Sequence, residues 1–380
     1  MTGDKNLYTK KPSVLSFGAK KAKFLFMLAA VSLAFLLSHH FASEPINSTE
    51  FISQYRVGLL GTVIKITIYT EPESASDIFD EIFNAIENID ARMSATSPDS
   101  QVSAINAMAG VGPVKVSDDV FHVITLARQI SEASGGAFDL SVGPLVSLWG
   151  IGTLNAKIPA EAEILEAKGL VCYEKVLLDQ SKNSVHLKKD GMRIDLGAIA
   201  KGYAGDVAAE ILERHGITSA ILDLGGDIVT LGSRPNGDAW RIGIRTPVLG
   251  GTGIVGVLRV RSSAVVTSGG YERYFEKDGA FFHHILDPAT GYPADSGLLS
   301  VTVVSGSAAT ADMLSTAAFV LGYERGRALV ESYGADAIFI TDEKTVHITD
   351  ELKNSFALTN DDFFIFSAPD SSASDSREAL

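Results

Sequence analysis

Four short segments hold residue types whose chemistry is hard to explain by packing alone. In Ile194-Asp195-Leu196-Gly197-Ala198-Ile199-Ala200-Lys201-Gly202-Tyr203-Ala204 a strand end runs into a helix, with Asp195 just before the helix and Lys201 in its second turn. That arrangement can hold a polar ring on one side and a phosphate on the other. An N-cap aspartate beside a solvated lysine uses the same residues. In Ala309-Thr310-Ala311-Asp312-Met313-Leu314-Ser315-Thr316-Ala317 the residues Asp312 and Thr316 stand four apart and share one helix face. The helix is otherwise apolar, so this face is buried, and a buried carboxylate requires a partner. A hard cation held through oxygens is one such partner; an N–H or a lysine is the other. In His283-His284-Ile285-Leu286-Asp287-Pro288-Ala289-Thr290-Gly291-Tyr292-Pro293, strand alternation sends His284 and Leu286 to one face and His283 and Ile285 to the other. The fourth segment, Gly135-Gly136-Ala137-Phe138-Asp139-Leu140-Ser141-Val142-Gly143-Pro144-Leu145, is a glycine-flanked turn leading to Trp149.

These segments need elements to carry them. Ile64, Ile66 and Ile68 alternate in Gly61–Tyr69 and predict a strand. Ser74 with Asp77 resembles a capping box, and Ile78, Phe79, Ile82, Phe83, Ile86 and Ile89 recur at helical spacing, predicting a helix over 75–92. Ser117 opens a second helix that Gly135-Gly136 closes. A third runs over 198–214, and two more over 307–321 and 324–333. Strands are expected at 220–224, 240–245, 256–260, 281–286, 298–304 and 337–341. Helices and strands mix without a regular βαβ beat, so the class is α+β. Gly251, Gly253 and Gly256 spell GxGxxG, but Val257-Leu258-Arg259-Val260 follows where a dinucleotide site needs a helix, and the segment reads as a hairpin loop.

The chain has 380 residues and a net charge of −14. Residues 1–23 hold six lysines and one acid, so the remaining 357 residues carry −19. That acidity argues against a nucleic-acid or anionic-lipid surface on the folded part and would favour a cation such as Mg²⁺. The single cysteine, Cys172, excludes an internal disulfide and a thiolate zinc cage. After Lys23 comes FLFMLAAVSLAFLL, Phe24 to Leu37, a signal or short anchor helix in the export pattern. The lysines stay in the cytoplasm and the acidic body goes out. Three divisions follow: 1–43, basic segment and anchor; 44–356, the folded domain; 357–380, an acidic, disordered tail most evident from Ala368 onward.

Taken in order, Leu59-Leu60-Gly61-Thr62, Met93-Ser94 to Asn106, GGAFDLSVGPL, DLGAIAKGYA, Leu224-Gly225-Gly226-Asp227, Thr267-Ser268-Gly269, HxLDPxTGxP and TADMLSTA resemble the ApbE-like FAD:protein FMN transferases. The resemblance spans about Tyr55 to Thr341. It implies an α+β fold of mixed sheets packed with helices, related to the T-fold, with FAD as substrate and Mg²⁺ as cofactor. It implies that FAD is held by Leu60, Thr96, Ala137, Phe138, Asp139, Asp195, Lys201 and the backbone near Leu286. Mg²⁺ would take the Ala198 carbonyl, Asp312 and Thr316, with Ser315 nearby, and His284 would be the catalytic histidine. The implied reaction moves FMN from FAD to a Thr or Ser hydroxyl of an acceptor protein and releases AMP, with a histidine titrating near neutrality as base. Implied acceptors are flavoprotein subunits of membrane-bound sodium- or proton-linked (Nqr- and Rnf-like) oxidoreductases, reached from an inner-membrane anchor with the catalytic domain in the periplasm. Two rivals use the same pocket: an Mg²⁺-dependent FAD pyrophosphatase, and a non-catalytic exported flavin carrier.

Overall fold

Ile64, Ile66 and Ile68 are fully buried and point from one strand onto a layer of helices, as their alternation requires. The computed structural model describes residues 51–70, 75–248 and 250–366. In chain order the first part comprises β1 (Phe51–Val57), β2 (Val63–Tyr69), α1 (Ala75–Met93), α2 (Gln101–Ala107), β3 (Val114–Lys115), α3 (Asp118–Ala133), α4 (Gly143–Trp149), α5 (Glu161–Lys168), β4 (Val176–Asp179) and β5 (Ser184–Leu187). Then come α6 (Ala200–Arg214), β6 (Ala220–Leu224), β7 (Asp227–Leu231), β8 (Trp240–Arg245), β9 (Ile254–Val260), β10 (Ala264–Gly269), β11 (Tyr274–Lys277) and β12 (Ala280–His283). The last elements are β13 (Leu298–Ser305), α7 (Ala308–Leu321), α8 (Tyr323–Ser332), β14 (Asp336–Thr341), β15 (Thr345–Ile348), β16 (Phe356–Leu358) and β17 (Phe364–Ile365).

Nine strands form one sheet in the order β1-β2-β6-β7-β10-β13-β14-β15-β17, antiparallel throughout except for the last pair. Helices α1, α6 and α7 cover one face, and β8, β9 and β16 form a small sheet over the other. Strand β14 shows why both coverings are needed. Ala337 and Phe339 enter the helix-side core while Ile338 and Ile340 enter the sheet-side core, so the whole strand reads as one apolar run. A third, smaller cluster of Leu145, Trp149, Ile164, Ala167 and Leu286 lies apart from both, with Phe275 and Phe282 packed on it.

The α+β expectation holds, as do the helices at 75–92, 198–214 and 307–321 to within about two residues. Gly251 and Gly253 lie between β8 and β9, which pair as a hairpin. One boundary moves. Strand pairing continues past residue 356: Ala357 and Leu358 pair with Val257 and Gly256, and Phe364 and Ile365 with Thr345 and Val346. Buried Phe363, which packs in the sheet-side core, holds this stretch in spite of the neighbouring Asp361 and Asp362. The rest of the expected tail, the 1–43 segment and the Ser74 cap lie outside the described residues. Among the described residues no helix is long and apolar enough to cross a membrane.

Candidate active site

Helices α6 and α7 meet at glycine. A Cβ on Gly202 would stand 2.3 Å from the Ala308 carbonyl oxygen, so only a bare Cα lets the two backbones come this close. The approach puts Asp312 of α7 against the first turn of α6, where Oδ2 accepts a hydrogen bond from the Gly202 N–H at 3.1 Å and lies 3.3 Å from Lys201 Nζ. Lys201 also reaches Asp227, at the start of β7, at 2.7 Å. Of the two partners left open for Asp312 within the chain, the structure supplies both, an N–H and a lysine. Gly202→Ala is expected to force the helices apart, lowering stability by roughly 1–3 kcal/mol and disrupting this cluster. A thermal melt indistinguishable from the parent protein's would contradict that.

The electrostatics follow from two carboxylates facing one ammonium. Burial pushes Lys201 down, but the charges of Asp312 and Asp227 outweigh it and hold the ammonium above the usual lysine range. Burial pushes Asp227 up, with Lys201 opposing and Asp312 reinforcing. Asp227 Oδ2 meets the Lys201 ammonium at 2.7 Å, a charge-assisted contact that is the buried carboxylate's main compensation. Beside the carboxylates stand hydroxyls: Ser268, on β10, bonds Ser315 at 2.8 Å and Thr316 at 3.1 Å. A net negative, oxygen-only set of this kind fits a hard divalent cation. Among the described residues no group of three or more His, Cys, Asp or Glu is placed to hold a metal. No contact of the Ala198 carbonyl with the cluster is seen.

His284 lies just beyond the β11–β12 hairpin. Its backbone N–H donates to the Arg273 carbonyl at 3.0 Å, and its Nδ1 lies 3.3 Å from that same oxygen. A carbonyl only accepts, so Nδ1 carries the hydrogen and Nε2 keeps a lone pair for a proton. The expected strand 281–286 ends at His283, with the His284 N–H to Arg273 carbonyl bond continuing the hairpin's register by one position. His283 is buried and satisfied on both nitrogens, Nε2 to the Ala294 carbonyl and Nδ1 accepting from the Ile285 N–H, with its ring edge-on to Phe319. The expectation of a histidine titrating near neutrality is corrected: burial, aided by Arg273, His283 and Lys201, pulls His284 down to about 4.

The other expected residues are placed as follows. Asp195 precedes α6 by too many residues to cap it. Its Oδ1 accepts from the Gly197 N–H, and Lys201 falls in the first helical turn, with its charge spent on carboxylates. The Asp195 N–H donates to the Leu140 carbonyl, which lays the 137–140 turn alongside it. Within that turn Phe138 and Asp139 are buried, and Asp139 is saturated by Ser141 and the Tyr173 N–H. What this segment offers a ligand is therefore main chain and Ala137. Leu60 has a left-handed backbone, φ 50°, held by its N–H donating to Asp90 on α1. Gly225 abuts Thr62, bringing the Leu224–Asp227 turn to the Leu60 loop. Trp149 Nε1 donates to the Gly291 carbonyl, fixing the turn after Leu286. Thr96 bonds Ser94 in the loop after α1, and no contact joins it to the others. Sequence reasoning left Asp227 and Arg273 without roles. An acid directly after Gly225-Gly226, opening a strand that carries Ile228, Val229 and Leu231, was the available signal for the first; the second carried none.

An α+β chain that gathers a lysine, two carboxylates and hydroxyls, with a histidine within electrostatic reach, has the parts of a site that handles phosphoryl groups. The chain matches the ApbE family over residues 60–339 and belongs to it. It is similar to a FAD:protein FMN transferase of Klebsiella pneumoniae, 38% identical over 307 residues that cover 80% of this chain and 94% of that protein. The FAD:protein FMN transferase of Treponema pallidum is 38% identical over 305 residues, covering 76% and 84%. Among solved structures, the ApbE protein of Thermotoga maritima superposes with a TM-score of 0.74 at 35% identity, covering 80% of this chain and 99% of that one. The flavin transferase ApbE of Vibrio cholerae gives 0.73 at 29%, covering 81% and 100%.

Proposed function

We propose that this chain transfers FMN from FAD to a Thr or Ser hydroxyl of an acceptor protein. The observation that carries the reading is the contact of His284 Nδ1 with the Arg273 carbonyl, which assigns Nε2 as the proton-accepting nitrogen, within electrostatic reach of the Lys201 cluster. The acceptor oxygen attacks the FMN-side phosphorus and its proton goes to Nε2. The bond from that phosphorus to the bridging oxygen breaks, and the electron pair leaves with AMP. Leu60, Thr96, Ala137, Phe138, Asp139, Asp195, Lys201 and the backbone near Leu286 are proposed to hold FAD. Asp312, Thr316 and the Ala198 carbonyl, with Ser315 adjoining, would hold Mg²⁺, which supplies charge stabilisation at the phosphoryl and leaving oxygens. In this reading the apolar run after Lys23 anchors the chain in the inner membrane, and the catalytic domain faces periplasmic acceptors such as Nqr- and Rnf-like subunits.

The test is to incubate the full chain with FAD, Mg²⁺ and an acceptor peptide. Mass spectrometry should show FMN added to the peptide, and AMP release should rise sharply when peptide is supplied. Equal AMP release with and without peptide would favour the pyrophosphatase instead.

A further inference from the structure

A diphosphate ligand brings two negative charges into a site that already holds Asp195, Asp227, Asp312 and, nearby, Glu272. The cations near these groups are Lys201, Arg193, Arg245 and Arg273; Arg193 acts on Asp195 from beside Gly143, on the side of the 137–143 turn. Lys201 is engaged by two carboxylates. Arg245 lies over the Tyr271 ring, 5.6 Å from its centroid. Arg273 differs from both: among the described residues its guanidinium has no carboxylate within ion-pair distance and no hydrogen-bond partner. We propose that the Arg273 guanidinium binds the diphosphate of FAD, an assignment that rests on the transferase reading above and extends it.

The placement supports this. The Arg273 main chain is fixed, because its carbonyl accepts both the N–H and the Nδ1–H of His284. Its side chain then runs between two glycines with left-handed backbones. Nη2 is 3.8 Å from where a Cβ on Gly61 would be, and Cδ is 3.7 Å from that position on Gly152. The guanidinium therefore lies beside the Leu60 loop on one side and the loop after α4 on the other. Its charge is felt by Asp195, Glu272 and His284, each of which it pulls toward a lower pKa. A planar guanidinium with free N–H groups suits two phosphate oxygens in a way a lysine does not. One residue thus serves twice: the main chain sets the tautomer of the base, and the side chain meets the group that the base acts beside.

The experiment compares binding of FAD and of riboflavin, which lacks phosphate, to the full chain and to Arg273→Gln and Arg273→Lys, by flavin fluorescence. Arg273→Gln is expected to weaken FAD by about 10- to 100-fold and to leave riboflavin unchanged, with Arg273→Lys in between. A second readout is the acid limb of kcat/KM. The charges facing His284 are Arg273, His283 and Lys201, and all three depress it. Removing the charge in Arg273→Gln should move the limb to higher pH, whereas Arg273→Lys, which keeps the charge, should move it less; equal shifts in both would mark a packing role. Equal loss for FAD and riboflavin, or an unchanged FAD affinity, overturns the assignment; should Arg273→Gln fail to fold, Arg273→Lys carries the same comparison. Failure of the parent chain to bind FAD at all would instead remove the transferase reading itself.

Discussion

Asp312→Asn is expected to stop turnover while the protein stays folded. The asparagine oxygen still accepts the Gly202 N–H, and Lys201 still has Asp227, so the α6–α7 contact keeps its polar partners. What disappears is one negative charge from an oxygen-only cluster, and with it the capacity to hold a divalent cation. Asp312→Ala is the cruder change, because it also strands the Gly202 N–H in a buried place. The measurement is single-turnover FMN transfer across a Mg²⁺ titration, beside a thermal melt and FAD binding. We expect activity lost at every Mg²⁺ concentration, FAD affinity largely retained and the melt nearly unchanged. Transfer at the parental rate by Asp312→Asn in EDTA would end the metal assignment.

Replacing His284 by Ala should lower the rate by roughly 10²–10⁴ with FAD affinity little changed, because a general base acts chiefly in the transition state. The backbone N–H of residue 284 still donates to Arg273, so the turn survives the substitution. The pH dependence has a definite sign. A base works when unprotonated, so kcat/KM, which reports the free enzyme, should fall only as pH drops toward about 4. In the ligand complex the added anionic charge draws the imidazole upward, so the kcat limb should lie at higher pH. Both limbs should vanish in His284→Ala. His283→Ala, by contrast, should keep its rate per folded molecule and lose stability, since it leaves the Ala294 carbonyl unpaired and a gap beside Phe319. If the two variants lose activity equally, His284 is not the base.

Much of the scaffold was legible because it obeys a simple period. The isoleucines of β2 and the Ile and Phe stripe of α1 face a single core, and their spacing declares it. Strand β1 was not legible, because its alternate residues Phe51, Tyr55 and Val57 are apolar yet exposed, which erases the contrast that alternation needs. The same gap explains the site. Helical spacing places Asp312 beside Thr316, but nothing local shows that Ser268 arrives from a neighbouring strand or Asp227 from a turn. Lys201 could be marked as chemically apt while its partners stayed open, since ion pairs between distant segments are set by topology. His284 was found by its place in a motif, yet its depressed pKa depends on burial first and on Arg273 second, and only the fold supplies either.

The hydrophobic clusters divide the site in a way that bears on how the protein fails. Lys201, Asp227 and Asp312 are carried by elements of the main core, whereas the hairpin that supplies Arg273 to His284 packs Phe275 and Phe282 on the small Trp149 cluster; Ile285 and the His283–Phe319 contact tie the following residues to the main core. The β11–β12 hairpin pairs with no other strand, and a two-stranded hairpin is marginal without packing. Such a unit opens at a lower free energy than the whole, as a separate foldon. Warming or mild denaturant would therefore loosen the hairpin, and with it the Arg273 carbonyl that orients His284, while the nine-stranded sheet is still intact. Inactivation would come before unfolding, and it would reverse on cooling because the surviving core remains as the template on which the hairpin re-forms.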